Sequence, residues 1–196
     1  MSNVADTRPT LAQSLWKGGD ARWKSLLLAV MGSLALWVSA KIQVPFYPVP
    51  ITMQTFVVLV VGMAFGWRLG AATVLLYLAE GAVGLPVFAG TPERGIGLAY
   101  MTGPTGGYLL GFLLGAIVVG WLGQRGWDRR FTTTLAAMLL GTAVIYPPGL
   151  IWLGMAIGWD KPVLDLGLWP FLPGDAFKIV LAALVLPTLW RLSRNR

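Results

Sequence analysis

The sequence contains no cysteine and no histidine. The first absence removes a disulfide framework and a thiol nucleophile; together they remove a Cys/His zinc site and a Ser-His-Asp triad. Charge is scarce as well, at 12% of the 196 residues, while 56% are hydrophobic. With a mean hydropathy of +0.70, this composition lies outside the range of soluble domains and marks an integral membrane protein. No nucleotide motif is present. Gly103-Pro-Thr-Gly-Gly-Tyr108 lacks the spacing and the lysine of a phosphate loop, so any ATP hydrolysis falls to another subunit. The net charge of +7 comes from basic residues scattered beside apolar runs, without the stripe that nucleic acid requires. Met1 to Asp20 has no h-region or cleavage site of a secretory signal and reads as a tail lying on the membrane through Leu11, Leu15 and Trp16.

What is present is a set of apolar runs about the length of membrane helices. They predict an all-α bundle of six transmembrane helices: Lys24 to Ala40, Ile51 to Gly66, Leu69 to Ala82, Gly106 to Gly123, Phe131 to Gly158 and Asp175 to Trp190. Residues 1–23 form the N-terminal tail, 24–190 the membrane domain and 191–196 a basic tail. Prolines 45, 48 and 50 end the first run in a tight turn, Trp67-Arg68 is the expected hinge between the second and third, and Pro147-Pro148 predict a kink or break in the fifth. Gly107, Gly111 and Gly115, four residues apart, predict a close helix–helix approach. Basic residues decide orientation. With both termini cytoplasmic, the inner segments hold eleven Lys and Arg and the outer segments only Lys41, Arg94 and Lys161, the asymmetry expected of inner loops.

One stretch is unfit to span. From Glu80 to Tyr108, glycine and proline interrupt the apolar text, yet Leu85, Val87, Phe88, Ile96, Leu98, Tyr100 and Met101 need cover. This predicts a structured outer lid over a cavity. Asp175 and Lys178 give it something to cover, because their spacing of three places both on one face at the start of the last helix. Such a pair suits a small ligand with N–H donors and a carboxylate. The same residues also fit a plainer role, with Asp175 capping the helix and Lys178 reaching to the interface. Thr52 and Gln54 are candidate hydrogen-bonding groups, Tyr146 beside the double proline is a candidate contact, and Glu80 pairs with Arg94 or Lys41. No metal-ligating cluster and no nucleophile–base pair stands out.

Four segments carry a resemblance. Pro48-Val-Pro-Ile-Thr-Met-Gln54, Gly84-Leu-Pro-Val-Phe-Ala-Gly90, Gly103-Pro-Thr-Gly-Gly-Tyr108 and Pro170-Phe-Leu-Pro-Gly-Asp-Ala-Phe-Lys178, in this order, resemble the signatures of the BioY family, the biotin-binding S components of energy-coupling factor (ECF) transporters. The resemblance covers about Lys41 to Trp190. It implies a six-helix bundle in the bacterial cytoplasmic membrane that binds biotin near its outer face, without a cofactor or catalytic residues. Its partners would be a transmembrane T component and two ABC-type ATPases, although some members occur without dedicated partners. Carried over by motif, Asp175 and Lys178 become ligand residues, with Asp175 on the ureido group and Lys178, with Arg94, on the carboxylate, or the two roles exchanged, while the loop Gly84 to Tyr108, including Phe88 and Tyr108, adds contacts and the lid. An Ala-x-x-x-Ala row that meets the T component has only relatives here, Ser25-x-x-x-Ala29-x-x-x-Ser33 and Ala35-x-x-x-Ser39. An S component for thiamine or riboflavin, a membrane enzyme using Glu80, Glu93 or Asp175 as acid or base, and a structural or lipid-binding bundle are the competing readings.

Overall fold

In the computed structural model, which describes residues 9–16 and 20–194, the apolar runs fold into helices. The order is α1 (Leu11–Leu15), α2 (Ala21–Lys41), a hairpin of β1 (Gln43–Val44) and β2 (Ile51–Thr52), α3 (Gln54–Phe65), α4 (Trp67–Ala82), α5 (Gly97–Met101), α6 (Gly106–Gln124), a 3-10 turn (Trp127–Arg129), α7 (Phe131–Ile157), α8 (Val163–Gly167) and α9 (Leu172–Arg194). Four helices, α2, α6, α7 and α9, are long and apolar enough to cross a membrane. The other two main helices are shorter, with 12 residues in α3 and 16 in α4. Of the tails, residues 1–8, 17–19 and 195–196 lie outside the described residues.

Several expected boundaries move for identifiable reasons. Ile51 and Thr52 leave the predicted second span to pair with Val44 and Gln43 across the antiparallel hairpin, because the prolines between the strands cannot continue a helix. The hinge between α3 and α4 is Gly66, at φ +80°, a conformation that side-chain-bearing residues rarely adopt; Trp67 and Arg68 already belong to α4. α7 stays one helix through Pro147 and Pro148 rather than breaking. Each proline removes its own N–H donor and crowds the carbonyl four residues earlier, and packing on α6 supports the helix at that level. α9 begins three residues early, at Leu172, because Pro173 and Gly174 fall in its first turn, where proline costs no hydrogen bond.

The glycine row of α6 behaves as expected. A Cβ on Gly107 would lie 2.2 Å from the Pro148 carbonyl oxygen, on Gly111 2.5 Å from that of Ile145, and on Gly115 2.9 Å from the Ile145 side chain. Backbone therefore meets backbone along α6 and α7, and the opposite side of α6 packs on α3 and α4. α2 packs against α3 and α4 with Ala29, Gly32, Ser33, Leu36, Ser39 and Ala40 buried. Its remaining face, including Leu27, Val30, Met31, Leu34 and Val38, is exposed. Ala29 and Ser33 are thus used inside the bundle, while Ser25 and Ala35 face outward.

At the far end of the bundle the short N-terminal helix docks through Leu11. Leu11 is 2% exposed in a short helix closed by reciprocal Thr10–Gln13 hydrogen bonds and packed on α3 and α9, although Leu15 and Trp16 remain exposed. Nearby, Asp128 of the 3-10 turn is fully buried and accepts a hydrogen bond from Trp190 Nε1. Its other oxygen has no partner among the described residues. Burial pushes the Asp128 carboxyl up to about 6, against the opposing effects of the Trp190 hydrogen bond and the Arg129 charge. Since the folded state then holds a proton that the unfolded chain releases near the ordinary value of 3.8, stability falls as pH rises from about 4 to about 6 and levels above that. Asp128→Asn should flatten this segment of the profile, read by thermal unfolding in detergent across that pH range.

Candidate ligand-binding site

The site is built on the first turns of α9. Asp175 and Lys178 form an ion pair of 2.9 Å, and they are only 3% and 6% exposed. Buried charges are tolerable when each neutralises and hydrogen-bonds the other, and two further helices complete that arrangement. Thr55 at the start of α3 donates to Asp175 Oδ1 at 3.2 Å and accepts from Lys178 Nζ at 3.0 Å. Tyr146 of α7 donates its hydroxyl to Asp175 Oδ2. The carboxylate therefore has side-chain donors from three helices. It does not serve as a helix cap, and Lys178 points to its partners rather than to the membrane surface.

Above the pair lies a cavity of about 520 Å³, counted to its open mouth and including the solvent there. The hairpin supplies Val49, Pro50 and Thr52; α3 adds Gln54 and Thr55; and the lid loop adds Ala89 and Tyr100. Thr105, Tyr108, Leu109 and Phe112 come from the start of α6, Ile145 and Tyr146 from α7, and Phe171 from the turn before α9. Apolar and aromatic walls thus surround one charged floor. A smaller void of about 190 Å³ lies beyond that floor, between α3, α7 and α9, and shares Thr55, Asp175 and Lys178 with the cavity.

The seven residues singled out from the sequence divide into two groups. Asp175, Lys178, Gln54, Tyr108 and Tyr146 all line the cavity. Gln54 Nε2 donates to the Tyr77 hydroxyl at 2.7 Å, which in turn donates to the Val87 carbonyl at 3.1 Å, so the glutamine is fixed to the lid through α4. Tyr108 gives the cavity its ring, stacked at 23° on Phe171, while its hydroxyl holds the Gly167 carbonyl at 2.8 Å. Phe88 and Arg94 lie outside the lining. Phe88 is fully buried, stacked on Tyr100 at 4.8 Å and edge-on to Tyr77, against Gly81, where any Cβ would strike its ring. Arg94 donates to the backbone oxygens of Pro48 and Phe46 at 3.1 and 3.0 Å.

Lys41 does for the lid what Arg94 does for the hairpin, donating to the Phe88 and Thr91 carbonyls and to Thr91 Oγ1. Glu80 accordingly pairs with neither cation and accepts from Ser33 Oγ across α2 and α4. The lid itself uses Gly84, Gly90, Gly95 and Gly97 at positive φ. Thr55 was the residue most easily overlooked. Its only signal in the sequence is a hydroxyl beside Gln54 at the edge of an apolar run, and its partners are more than a hundred residues away.

The profile of the BioY family matches residues 11–195. The chain belongs to the BioY family. It is 36% identical over 173 residues to the biotin transporter BioY of Thermotoga maritima, covering 88% of this chain and 99% of that one. To the biotin transporter BioY of Rhizobium etli it is 40% identical, covering 78% and 83%. Its fold is similar to a crystal structure of the S-component for biotin from an ECF-type ABC transporter, with a TM-score of 0.75 and 25% identity over 90% of this chain and 95% of the other. BioY proteins are transporters, so the reading of Glu80, Glu93 and Asp175 as enzymatic acids or bases falls.

The ion pair generates its own test. Lys178→Met leaves a buried carboxylate without its cation and should cost the ligand-free protein about 3–5 kcal/mol. Adding Asp175→Asn should recover part of that loss, because an amide needs no counter-charge. Thermal unfolding of the two variants measures the difference; a double variant no more stable than Lys178→Met would show that the lysine neutralises something else.

Proposed function

We propose that this chain captures biotin at the outer face of the cytoplasmic membrane and serves as the substrate-binding S component of an ECF-type transporter. The observation that carries the reading is the Asp175–Lys178 pair on the floor of an open, aromatic-walled cavity, in a chain of the BioY family. Biotin offers a ureido group with N–H donors beside a carbonyl acceptor, an apolar bicyclic ring and a carboxylate at the end of a flexible chain. The two floor groups are 2.9 Å apart, whereas the polar ends of biotin are separated by its ring and chain. Both floor groups therefore suit the ureido head, with Asp175 accepting an N–H and Lys178 donating to the carbonyl. The rings of Tyr108, Tyr146 and Phe171 cover the bicycle. The carboxylate then extends toward the mouth, while Arg94, outside the lining, holds the hairpin through the Pro48 and Phe46 carbonyls. This differs from dividing the pair between the two ends of the ligand.

The membrane arrangement is a six-span bundle with both termini inside, residues 24–190 forming the substrate-binding domain. α3 and α4 would be short spans of roughly 18 and 24 Å at 1.5 Å per residue, less than the ~30 Å hydrocarbon core. The hairpin and lid complete the thickness at their outer ends. The excess of Lys and Arg on one side supports this orientation. ATP hydrolysis belongs to ABC-type partner subunits and coupling to a T component, since this chain has no nucleotide motif; the exposed apolar face of α2 is available to a membrane partner.

Ligand identity is tested by thermal shift of the detergent-purified protein with biotin, thiamine and riboflavin. A ligand that binds the folded state alone stabilises it by RT ln(1 + [L]/Kd). Biotin alone should raise the midpoint at micromolar concentration, and Asp175→Asn and Lys178→Ala should each weaken binding at least tenfold, about 1.4 kcal/mol. Absence of a biotin shift in a folded, monodisperse sample would sink the proposal. Orientation is tested independently by Gly95→Cys, which should react with an impermeant maleimide from outside intact cells; reaction only after permeabilisation would invert the topology.

A further inference from the structure

The end of α9 opposite the ligand cavity borders a second cleft. It lies among Pro9, Arg129, Pro187, Trp190 and Arg191, with about 780 Å³ of unfilled space counted to its open side. From Asp175 to Trp190 is roughly 22 Å along the helix axis at 1.5 Å per residue, so the two sites are at opposite ends of the bundle. The cleft is built from the inside outward. Asp128, with no exposed surface, holds the indole N–H of Trp190, and Trp190, itself 7% exposed, carries the Arg129 guanidinium 4.5 Å from its ring centroid. A guanidinium held over an aromatic ring in this way keeps N–H donors available for a further partner. Asp128 is the acid beside Arg129, and it is already engaged by the indole. Neither Arg129 nor Arg191 has an ion-pair partner among the described residues.

Two guanidinium groups without an ion-pair partner among the described residues, an oriented indole and two proline rings make a surface that is apolar on its walls and cationic at its edge. Guanidinium edges match the oxygens of a phosphate, and basic pockets between membrane helices on the cytoplasmic side are characteristic sites of anionic headgroups. We propose that this cleft binds the phosphate of an anionic phospholipid, with Arg129 and Arg191 on the phosphate oxygens and the acyl chains leaving past Pro187 and Trp190. The inference rests on the membrane reading and is independent of the identity of the transported ligand.

The test is thermal unfolding of the full-length, biotin-free protein in detergent with added phosphatidylglycerol, phosphatidylcholine, or inorganic phosphate at matched phosphate concentration. Phosphatidylglycerol alone should raise the midpoint, and Arg129→Gln/Arg191→Gln should need at least tenfold more of it while retaining the biotin shift of the parent. Equal stabilisation of parent and variant, or equal effects of the two lipids, would overturn the site. A full shift with inorganic phosphate would make it a soluble-anion site and overturn the lipid assignment. If the glutamine variant does not insert, Arg129→Lys/Arg191→Lys keeps both charges without the planar edges. It should weaken the effect severalfold, and an unchanged response would overturn the guanidinium geometry.

Discussion

Placing a carboxylate and an ammonium in an apolar bundle costs several kcal/mol per ion in lost hydration, and the cost is offset only when the surrounding groups hold the pair in good geometry. Asp175 and Lys178 impose that requirement on the helices around them. Thr55 must present its hydroxyl from α3 and Tyr146 must reach Asp175 from α7, so the starts of α3 and α9 and the middle of α7 converge at one level. The cavity exists because these elements meet at a polar point rather than closing into an apolar core. A ligand that carries donors and an acceptor side by side enters a site whose charges are already balanced.

The glycines of α6 make this convergence sterically feasible. Backbone contact with α7 near Pro148 and Ile145 brings Tyr108 beside Tyr146 at 6.4 Å, edge to face. Over the cavity, largely irregular chain covers what the helices leave open, and it is held by aromatic stacking at Phe88 and by two cations. Regular helix would present its apolar stripe to the cavity but could not provide the sharp reversals at Gly84, Gly90, Gly95 and Gly97.

Properties that depend on short windows of sequence were legible. Long apolar runs, the glycine spacing on α6, the unfitness of Glu80 to Tyr108 for a span and the shared face of Asp175 and Lys178 are all local, and they lead to the right elements. Less legible were features set by distant partners. The continuity of α7 depends on α6 packing against its prolines, and the inward position of Leu11 depends on α3 and α9. Arg94 and Phe88 were expected to contact the ligand, and nothing nearby in the sequence reveals that one is occupied by hairpin carbonyls and the other by two tyrosine rings. Thr55 gave no signal of its own beside Gln54, because its partners Asp175 and Lys178 lie on the last helix.

Lys41 and Arg94 close the roof by gripping oxygen atoms that belong almost entirely to the main chain: the carbonyls of Phe88, Thr91, Phe46 and Pro48. Any residue in the same backbone conformation supplies such an oxygen. Closure therefore depends unequally on its members: each cation makes several of the closing hydrogen bonds through its side chain, whereas the gripped positions contribute main chain, with the Thr91 hydroxyl the one exception.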